Sequence, residues 1–449
     1  MKKLLLLLAV LAGSFCEDAN AQNGVLDLTD LDNYANQPIP AYITRNNTPP
    51  GNALTDPGAT LGRVLFYDKR LSRNDTISCA SCHQQAHAFA DAAVASTGVS
   101  GTTGRHSMRL INTRFSQEAR FFWDERATSL ENQTTQPVKD HAEMGFSGAS
   151  GDPAFSDLVT KLSALADYRV LFAMTFGDAA INEDRIQRAI SQFVRSIQSF
   201  DSKYDAGRTN TPDNLSFTNF TAAENAGKAL FLAAPPAGAG CAGCHRPPEF
   251  EIDPNSRNNG LTNSIAGGTD LLNTRSPTLR DLVRTNGQVN GGFMHTGAFA
   301  TLGAVIDHYN LIPGDNTNLD PRLRRPGGQV QSLNLTPTQR TNLVAFLATL
   351  AGTAVYTDAR WSNPFNAAGS IDLIILPASA VTFTENTNGT ATLTCQAAPN
   401  LTYTLQGSTN LSSWTNVASI VSSAQGRITR NVPNSGNAFY RFTFAPPSP

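Results

Sequence analysis

The sequence has few charged residues and no excess of either sign of charge. Only 16% of the 449 residues are charged, and 34 Lys and Arg against 36 Asp and Glu leave a formal net charge of -2. This balance predicts no basic surface for nucleic acid. Beyond the N-terminus, no run approaches the roughly 20 apolar residues of a membrane-spanning helix. The length predicts roughly two to four domains, each able to bury its own core.

The N-terminus has the pattern of an export signal. Two lysines precede an apolar run over residues 4–12, and an Ala-Asn-Ala sequence ends at Ala21. The pattern predicts a signal peptide of residues 1–21 and export to the periplasm. A lipoprotein signal with Cys16 as the lipidated residue is the alternative, but Phe15 stands where such a signal needs a small residue.

Cysteine is scarce, yet four of the six cysteines form two identical Cys-x-x-Cys-His pentads. Disulfides, redox dithiols and zinc sites also use paired cysteines, but none of them explains the His after each pair. In c-type cytochromes the two thiols attach the haem and the His ligates its iron. The sequence therefore predicts two covalently bound haem c groups. Their attachment residues are Cys79, Cys82 and His83, and Cys241, Cys244 and His245.

Each pentad follows a Gly-x-x-aliphatic-Phe pattern with helical apolar spacing, at 62–66 and 227–231. This duplication predicts two small helical c-type domains, residues 22–215 and 216–355. Apolar residues at steps of three or four predict one long helix over 182–204. A polar, proline-bearing stretch after residue 200 is then expected to be a hinge.

Helix start signals mark the second half. Thr221 with Glu224 forms a capping-box pattern, and Thr336 with Pro337 supplies a cap followed by an N1 proline. Both pairs precede apolar residues at helical spacing, so each predicts the first turn of a helix.

The composition changes after residue 359. From 371 onwards, apolar and polar residues alternate between turn residues, which predicts strands. We therefore expect a linker over 356–370 and a small β-sandwich over 371–449. The predicted fold class is mainly α, with two c-type cytochrome domains followed by this sandwich. Cys395 falls within a strand and is expected to be a buried free thiol.

The sixth ligand of each iron decides the chemistry, because an open position lets an oxidant bind while a second strong ligand favours electron transfer. Apart from the initiator, the methionines are Met108, Met144, Met174 and Met294. The last of them lies in the glycine-rich loop 291–297, which can reach over a haem face. His295 is the rival ligand in that loop, and the spacing alone leaves both open.

Several further stretches carry a family resemblance. The chain resembles the bacterial di-haem cytochrome c peroxidases, including the MauG-like enzymes, from about residue 61 to about residue 350. The order and spacing of the shared stretches make the match specific. They are 61–72, the two pentads, 121–127, Gln133, Pro137, 143–145, 276–280, 293–297 and 308–310.

The resemblance implies that peroxide is reduced at the N-terminal haem. It implies that the C-terminal haem, ligated by His245 and Met294, receives the electrons. Trp123 matches a tryptophan that relays electrons between the haems, and Gln133 and Glu143 match the polar residues over the peroxidatic haem. A carboxylate there can move a proton between the peroxide oxygens, and burial is expected to raise the pKa of Glu143.

The chain departs from the family in several places. Glu125 replaces a glycine, and no His stands where many members keep a mobile ligand of the first iron. We therefore predict a five-coordinate or water-bound first haem, with His106 as sixth ligand in the alternative. His106 also replaces an Asn that often helps to bind calcium between the domains. The case for calcium, which would then depend on carbonyls near Arg275 and Pro277, is correspondingly weaker.

The predicted function is reduction of hydrogen peroxide to water, with electrons from a small periplasmic cytochrome c or cupredoxin. One alternative is a MauG-like oxidase that modifies a protein partner. That subgroup tends to have Tyr in place of the methionine ligand, so Met294 argues against it. The other alternative is a non-catalytic di-haem electron carrier. The resemblance also implies a homodimer, and no motif indicates a role for the β region.

Overall fold

The computed structural model describes residues 23–117, 120–252, 254–376, 381–434 and 439–448. The predicted signal peptide lies outside these residues. Among the helices described, none is both long and apolar enough to cross a membrane.

Ten α-helices and ten strands occur in the described parts of the chain. The helices are α1 (Asp56–Tyr67), α2 (Cys79–Cys82), α3 (Leu130–Thr134), α4 (Phe155–Ser163), α5 (Ala166–Phe176), α6 (Glu183–Ser196), α7 (Lys203–Arg208), α8 (Ala222–Leu232), α9 (Leu302–Asn310) and α10 (Pro337–Ala348). The strands are β1 (Val25–Asp27), β2 (His245–Arg246), β3 (Glu251–Ile252), β4 (Asp372–Ile374), β5 (Thr382–Glu385), β6 (Thr390–Gln396), β7 (Thr402–Ser408), β8 (Thr415–Val421), β9 (Arg427–Pro433) and β10 (Phe439–Thr443).

The prediction of a mainly α fold is wrong. Helices account for 28% of the structure and strands for 15%, so turns and irregular segments make up the rest. The chain has 34 Gly and 25 Pro, which favour turns over helices. The cavities described below are also lined in large part by residues outside the helices.

A repeated helix crossing explains the duplicated glycine pattern. Gly62 of α1 lies against α6, where an added Cβ would be 2.0 Å from the Ala189 carbonyl oxygen. Gly227 of α8 lies against α10, where an added Cβ would be 1.9 Å from the Asn342 carbonyl oxygen. Only glycine permits backbones to approach this closely. The two halves are therefore built around the same helix crossing.

The capping predictions are confirmed, whereas the long helix is shorter than predicted. Thr221 and Thr336 each cap a helix with a complete capping box. The Asn182 side chain caps α6, but α6 ends at Ser196 instead of continuing to residue 204. The following segment bonds to another loop, since the Asn112 backbone N–H donates to the Ile197 carbonyl at 2.9 Å. Tertiary hydrogen bonds thus outweigh the helical spacing of the apolar residues.

The segment that was expected to be a hinge is anchored by a buried ion pair. Asp205 of α7 accepts hydrogen bonds from both terminal nitrogens of Arg280, each at 2.9 Å. Both side chains are buried. A paired and hydrogen-bonded buried charge fixes geometry well, so this part of the chain is tied to the second half.

The C-terminal region forms two three-stranded antiparallel sheets, ordered β5-β6-β9 and β10-β7-β8. Apolar residues from strands of both sheets form a small shared core, namely Ala391, Leu393, Leu405 and Val432. Other residues of the same strands, including Tyr403 and Ile428, belong to the core of the first helical half. Cys395 is a buried free thiol, as predicted.

The segment that joins the second helical half to the C-terminal sheets is also packed against the protein. Trp361 is 2% exposed, and its carbonyl accepts a hydrogen bond from the Tyr67 hydroxyl at 2.6 Å. Strand β1 pairs in parallel with β4. In the loop between β6 and β7, the Asn400 side-chain amide donates to the Met174 carbonyl of α5 at 3.0 Å. The sheets therefore sit directly on the first helical half.

Candidate active site

Each pentad lines its own cavity. The first cavity, of about 640 Å³, is lined by Cys79, Cys82 and His83. The second, of about 570 Å³, is lined by the second pentad, Cys241 to His245. All four cysteines are free thiols.

Local structure orients the first pentad. Its two cysteines begin and end the short helix α2, whose start is fixed by a hydrogen bond from the Ser78 backbone N–H to Ser81 Oγ at 3.0 Å. The His83 ring lies with Nδ1 3.1 Å from the Phe89 carbonyl oxygen. Burial lowers the pKa of His83, so its ring is neutral at pH 7. A neutral ring that donates from Nδ1 keeps Nε2 free to bind a metal ion.

The second pentad has comparable chemistry on a different backbone. Cys241–Gly243 forms a 3-10 turn preceded by Gly240 at a φ of 72°. Burial lowers the pKa of His245 to about 4, so this ring too is neutral. The cavity wall contains Phe231, Leu279, Phe293, Leu302 and Ile306.

These features match haem c. Each cavity offers two free thiols for the vinyl groups, a neutral imidazole for the iron and an apolar wall for the porphyrin. A zinc site would need ligands from both pairs at one point, but the pairs line different cavities. Within the described residues, no cluster of three or more His, Cys, Asp or Glu could hold a metal ion.

The loop over the second cavity separates the two rival ligands. Met294 lines this cavity, and its Sδ accepts a hydrogen bond from Asn259 Nδ2 at 3.4 Å. Both ring nitrogens of His295 are already engaged: Asn273 Nδ2 lies 2.7 Å from Nδ1, and the Asn263 carbonyl oxygen lies 2.8 Å from Nε2. The sulfur therefore faces the cavity, while the imidazole is held by the surrounding loops.

Met294 is also held in an unusual backbone conformation. Its φ is 67°, a left-handed value that costs a non-glycine residue of order 1 kcal/mol. The Asn259 amide that contacts the sulfur also donates to the Tyr309 hydroxyl at 3.2 Å. Sequence reasoning missed Asn259, because no motif connects it to a methionine 35 positions away. Tyr309 lies in the shared stretch 308–310, but the sequence assigned it no role.

The first cavity contains the polar residues that were singled out from the sequence. Gln133 from α3 and Glu143 both line it. Burial, with a smaller contribution from Asp140, raises the pKa of Glu143 to about 7, while Arg126 acts in the opposite direction. The carboxyl group is therefore close to half-protonated at neutral pH, as a group that both accepts and returns a proton requires.

Trp123 lies between the cavities and lines both of them. Its indole Nε1 donates to the His106 carbonyl at 2.8 Å. Its own carbonyl accepts from the backbone N–H groups of Thr274 and Arg275, at 2.8 and 3.1 Å. Trp123 is thus held by a hydrogen bond from its ring to the first half and by hydrogen bonds to its carbonyl from the second half.

His106 lines the first cavity from a buried position. Its Nδ1 is 3.0 Å from the Ala93 carbonyl oxygen, and its backbone N–H donates to the His295 carbonyl at 2.7 Å. The backbone of Met108, two residues further on, contacts the His83 ring. This segment therefore lies on the His83 side of the cavity, which does not favour His106 as a ligand on the opposite face. The calcium ion remains a prediction.

Comparisons with known proteins agree with this geometry. The family described as di-haem cytochrome c peroxidase matches residues 56–211. Methylamine utilization protein MauG of Methylorubrum extorquens is 30% identical over 317 residues, which cover 67% of this chain and 80% of that protein. Cytochrome c551 peroxidase of Nitrosomonas europaea is 27% identical over 267 residues, covering 57% and 73%.

A solved structure extends the similarity to the fold. The crystal structure of a MauG-like protein associated with microbial copper homeostasis is 28% identical, with a TM-score of 0.59. The match covers 74% of this chain and 99% of that protein. The chain is therefore an oxidoreductase that belongs to the di-haem cytochrome c peroxidase family, whose cofactor is haem c.

Proposed function

We propose that this protein reduces hydrogen peroxide to water with electrons from a small redox protein. One contrast between the cavities carries the proposal. The first offers a carboxyl group with a pKa of about 7 and an amide, whereas the second presents a thioether to the space in front of His245. The first arrangement suits an oxidant, and the second suits electron transfer.

Haem bound at His83 would supply the iron that accepts peroxide and the electrons that cleave its O–O bond. The residues of the chain manage the protons. Glu143 accepts the proton of the oxygen nearer the iron and returns it to the oxygen that leaves as water. Gln133 donates a hydrogen bond that orients the peroxide. The full turnover consumes one peroxide, two electrons and two protons and yields two water molecules.

The second cavity is proposed to receive the electrons. Met294 would hold the second haem iron together with His245, because the rival His295 has both ring nitrogens engaged. A thioether ligand raises the potential of a haem, which favours uptake of an electron from a donor. Trp123, which lines both cavities, then carries electrons to the first haem.

The donor we propose is a small cytochrome c or cupredoxin, and the compartment is the periplasm. The signal-peptide pattern of residues 1–21 supports export. Periplasmic donors of this kind are soluble and dock transiently, so a small and partly polar contact area is expected. A homodimer and a calcium ion between the halves remain expectations from the family resemblance.

Glu143→Gln tests the proposal, using protein matured with both haems. With reduced cytochrome c as donor, we expect kcat/KM for peroxide to fall about 10²- to 10⁴-fold, while the haem content stays at two. Glu385→Gln on β5 removes an exposed carboxylate outside the cavities and should retain full activity. Full activity in Glu143→Gln would remove Glu143 from the mechanism, and no peroxide-dependent oxidation by the unmodified protein would refute the function.

A MauG-like oxidation of a protein partner is the second candidate. The similarity to methylamine utilization protein MauG over most of that protein favours it. It predicts that peroxide is consumed without a small reduced donor when the partner is present. Rapid peroxide turnover with reduced cytochrome c alone would decide for the peroxidase.

A further inference from the structure

Arg109 occupies a position that neither the sequence motifs nor the proposed chemistry explains. It lines both cavities, as Trp123 and Arg275 also do among the described residues. Its guanidinium group is thus at the boundary between the two cofactor spaces. A charge at this point acts on both cavities at once.

The charge of Arg109 has no counterion within the described parts of the chain. Its Nε is buried and has no hydrogen-bond partner there. Arg109 interacts electrostatically with Asp281 and with the Tyr356 hydroxyl. Neither of these groups makes an ion pair with it. Asp281 Oδ1 accepts from the Gly352 backbone N–H at 2.7 Å, and the buried Oδ2 has no hydrogen-bond partner in the described chain.

Three buried arginines of this protein, by contrast, have a carboxylate partner. Arg63 pairs with Asp32 at 2.8 Å, Arg195 with Glu131 at 2.5 Å and Arg280 with Asp205 at 2.9 Å. Burial lowers the pKa of Arg109 to about 10, which still leaves it charged at neutral pH. Burying a cation without an anion is costly. A cation that lines both cavities and makes no ion pair with the described chain therefore points to an anion that is not part of the chain.

We propose that Arg109 binds propionate carboxylates of both haems and so bridges the two cofactors. Each haem carries two propionates, and these are the anions that haem would bring to the two cavities. A guanidinium group has five N–H donors in a plane, enough to bind two carboxylates at once. The proposal rests on the proposed function only in requiring that both haems are bound.

The bridge has an electrostatic consequence. Oxidised haem carries one more positive charge than reduced haem, so a nearby cation favours the reduced form. A cation shared by two haems raises both reduction potentials, whereas a cation at one haem raises mainly that one. The positive charge of Arg109 should therefore be visible in the potentials of both centres.

The test measures both potentials by spectroelectrochemical titration of the two-haem protein. Arg109→Leu should lower both, each by about tenfold in the ratio of reduced to oxidised haem, which is about 59 mV for a one-electron couple. Arg109→Lys keeps the charge and should recover at least half of each shift. Arg114→Leu is the matched control, since Arg114 is a partly buried arginine that lines neither cavity, and it should move neither potential.

A haem count accompanies each titration. If Arg109→Leu does not mature with two haems, Arg109→Gln replaces it, and the same fall in both potentials is expected. A fall in only one potential, or in neither, would overturn the bridge. Equal shifts in the Arg114→Leu control would overturn it as well, because the effect would then not depend on position. If both potentials fall in Arg109→Leu but the unmodified protein does not turn over peroxide, the proposed function fails and the bridge stands.

Discussion

The two cavities share a plan but differ in what faces the attached imidazole. In both, a cysteine pair and a neutral histidine lie beside a helix whose glycine packs against a second helix. The first cavity adds Glu143, Gln133 and other polar side chains. The second adds Met294, held by Asn259, within a mostly apolar wall. Two copies of one scaffold can therefore have different functions, because the residues that face the histidine can differ while the haem-attachment residues stay the same.

The largest expected effect comes from removing one haem at a time. Replacing Cys79 and Cys82 by Ala should leave one haem, in the second cavity, and reduce peroxide turnover below about 1% of the original, because only the first site is proposed to bind the oxidant. Replacing Cys241 and Cys244 by Ala should leave a haem that still reacts with peroxide but is not reduced by cytochrome c.

Single-turnover kinetics and a pyridine haemochrome count distinguish these variants. If the first pair of substitutions left peroxide binding intact and the second abolished it, the assigned roles of the cavities would be reversed.

The next effect concerns the ligand that closes the second cavity. Met294→Leu keeps the size of the side chain but removes the sulfur, so a high-spin haem should form there and its potential should fall. The equilibrium constant for electron uptake from the donor should fall by about tenfold or more, since each 59 mV in a one-electron couple is a factor of ten in that constant. The matched change Met174→Leu alters a buried methionine of the first half that lines neither cavity, and both haem spectra should stay as they are. An unchanged spectrum in Met294→Leu would show that another group ligates the second iron.

The pH profile sharpens the comparison at the first cavity. The pKa of Glu143 is raised to about 7, so the carboxylate that accepts the peroxide proton disappears as the pH falls below 7. We expect kcat/KM for peroxide to fall about tenfold per pH unit on the acid side and to level off above pH 7. The electron-transfer rate at the second cavity should not follow this profile. A profile that persists in Glu143→Gln would assign the titration to another group.

The attachment sites and their doubling could be read from the sequence, because thioether chemistry requires a fixed local spacing. Helix starts at Thr221 and Thr336 were predictable for the same reason, since a cap and its partner are three residues apart. The choice between Met294 and His295 was not predictable from local spacing. It depends on Asn263 and Asn273, which lie far from the loop along the chain and engage the imidazole.

The fold class was mispredicted for a related reason. Helical spacing identifies helices well, but it does not reveal how much of the chain wraps around a cofactor. Residues 105–110, for example, all line the first cavity but show neither helical nor alternating spacing of apolar residues. The buried charge of Arg109 belongs to this group, since its surroundings are assembled from Trp123, Arg275 and Asp281, all distant in sequence. The end of α6 was mispredicted because it is determined by hydrogen bonding from Asn112, which is also distant in sequence.

The smallest effect concerns the shared scaffold, and it asks whether the two halves unfold as separate units. Gly62→Ala and Gly227→Ala each place a methyl group about 2 Å from a backbone carbonyl oxygen of the facing helix. Each should destabilise its own half by about 1–3 kcal/mol, because α1 and α6, or α8 and α10, must move apart. Gly314→Ala, with open space around its Cβ position and a place in neither cavity wall, is the control and should be close to neutral. Chemical denaturation followed at the Soret band of each haem reads out the two halves. If the halves are independent, Gly62→Ala shifts only the first transition and Gly227→Ala only the second. If both substitutions shift both transitions equally, the Asp205–Arg280 pair and the other contacts between the halves make the protein one cooperative unit.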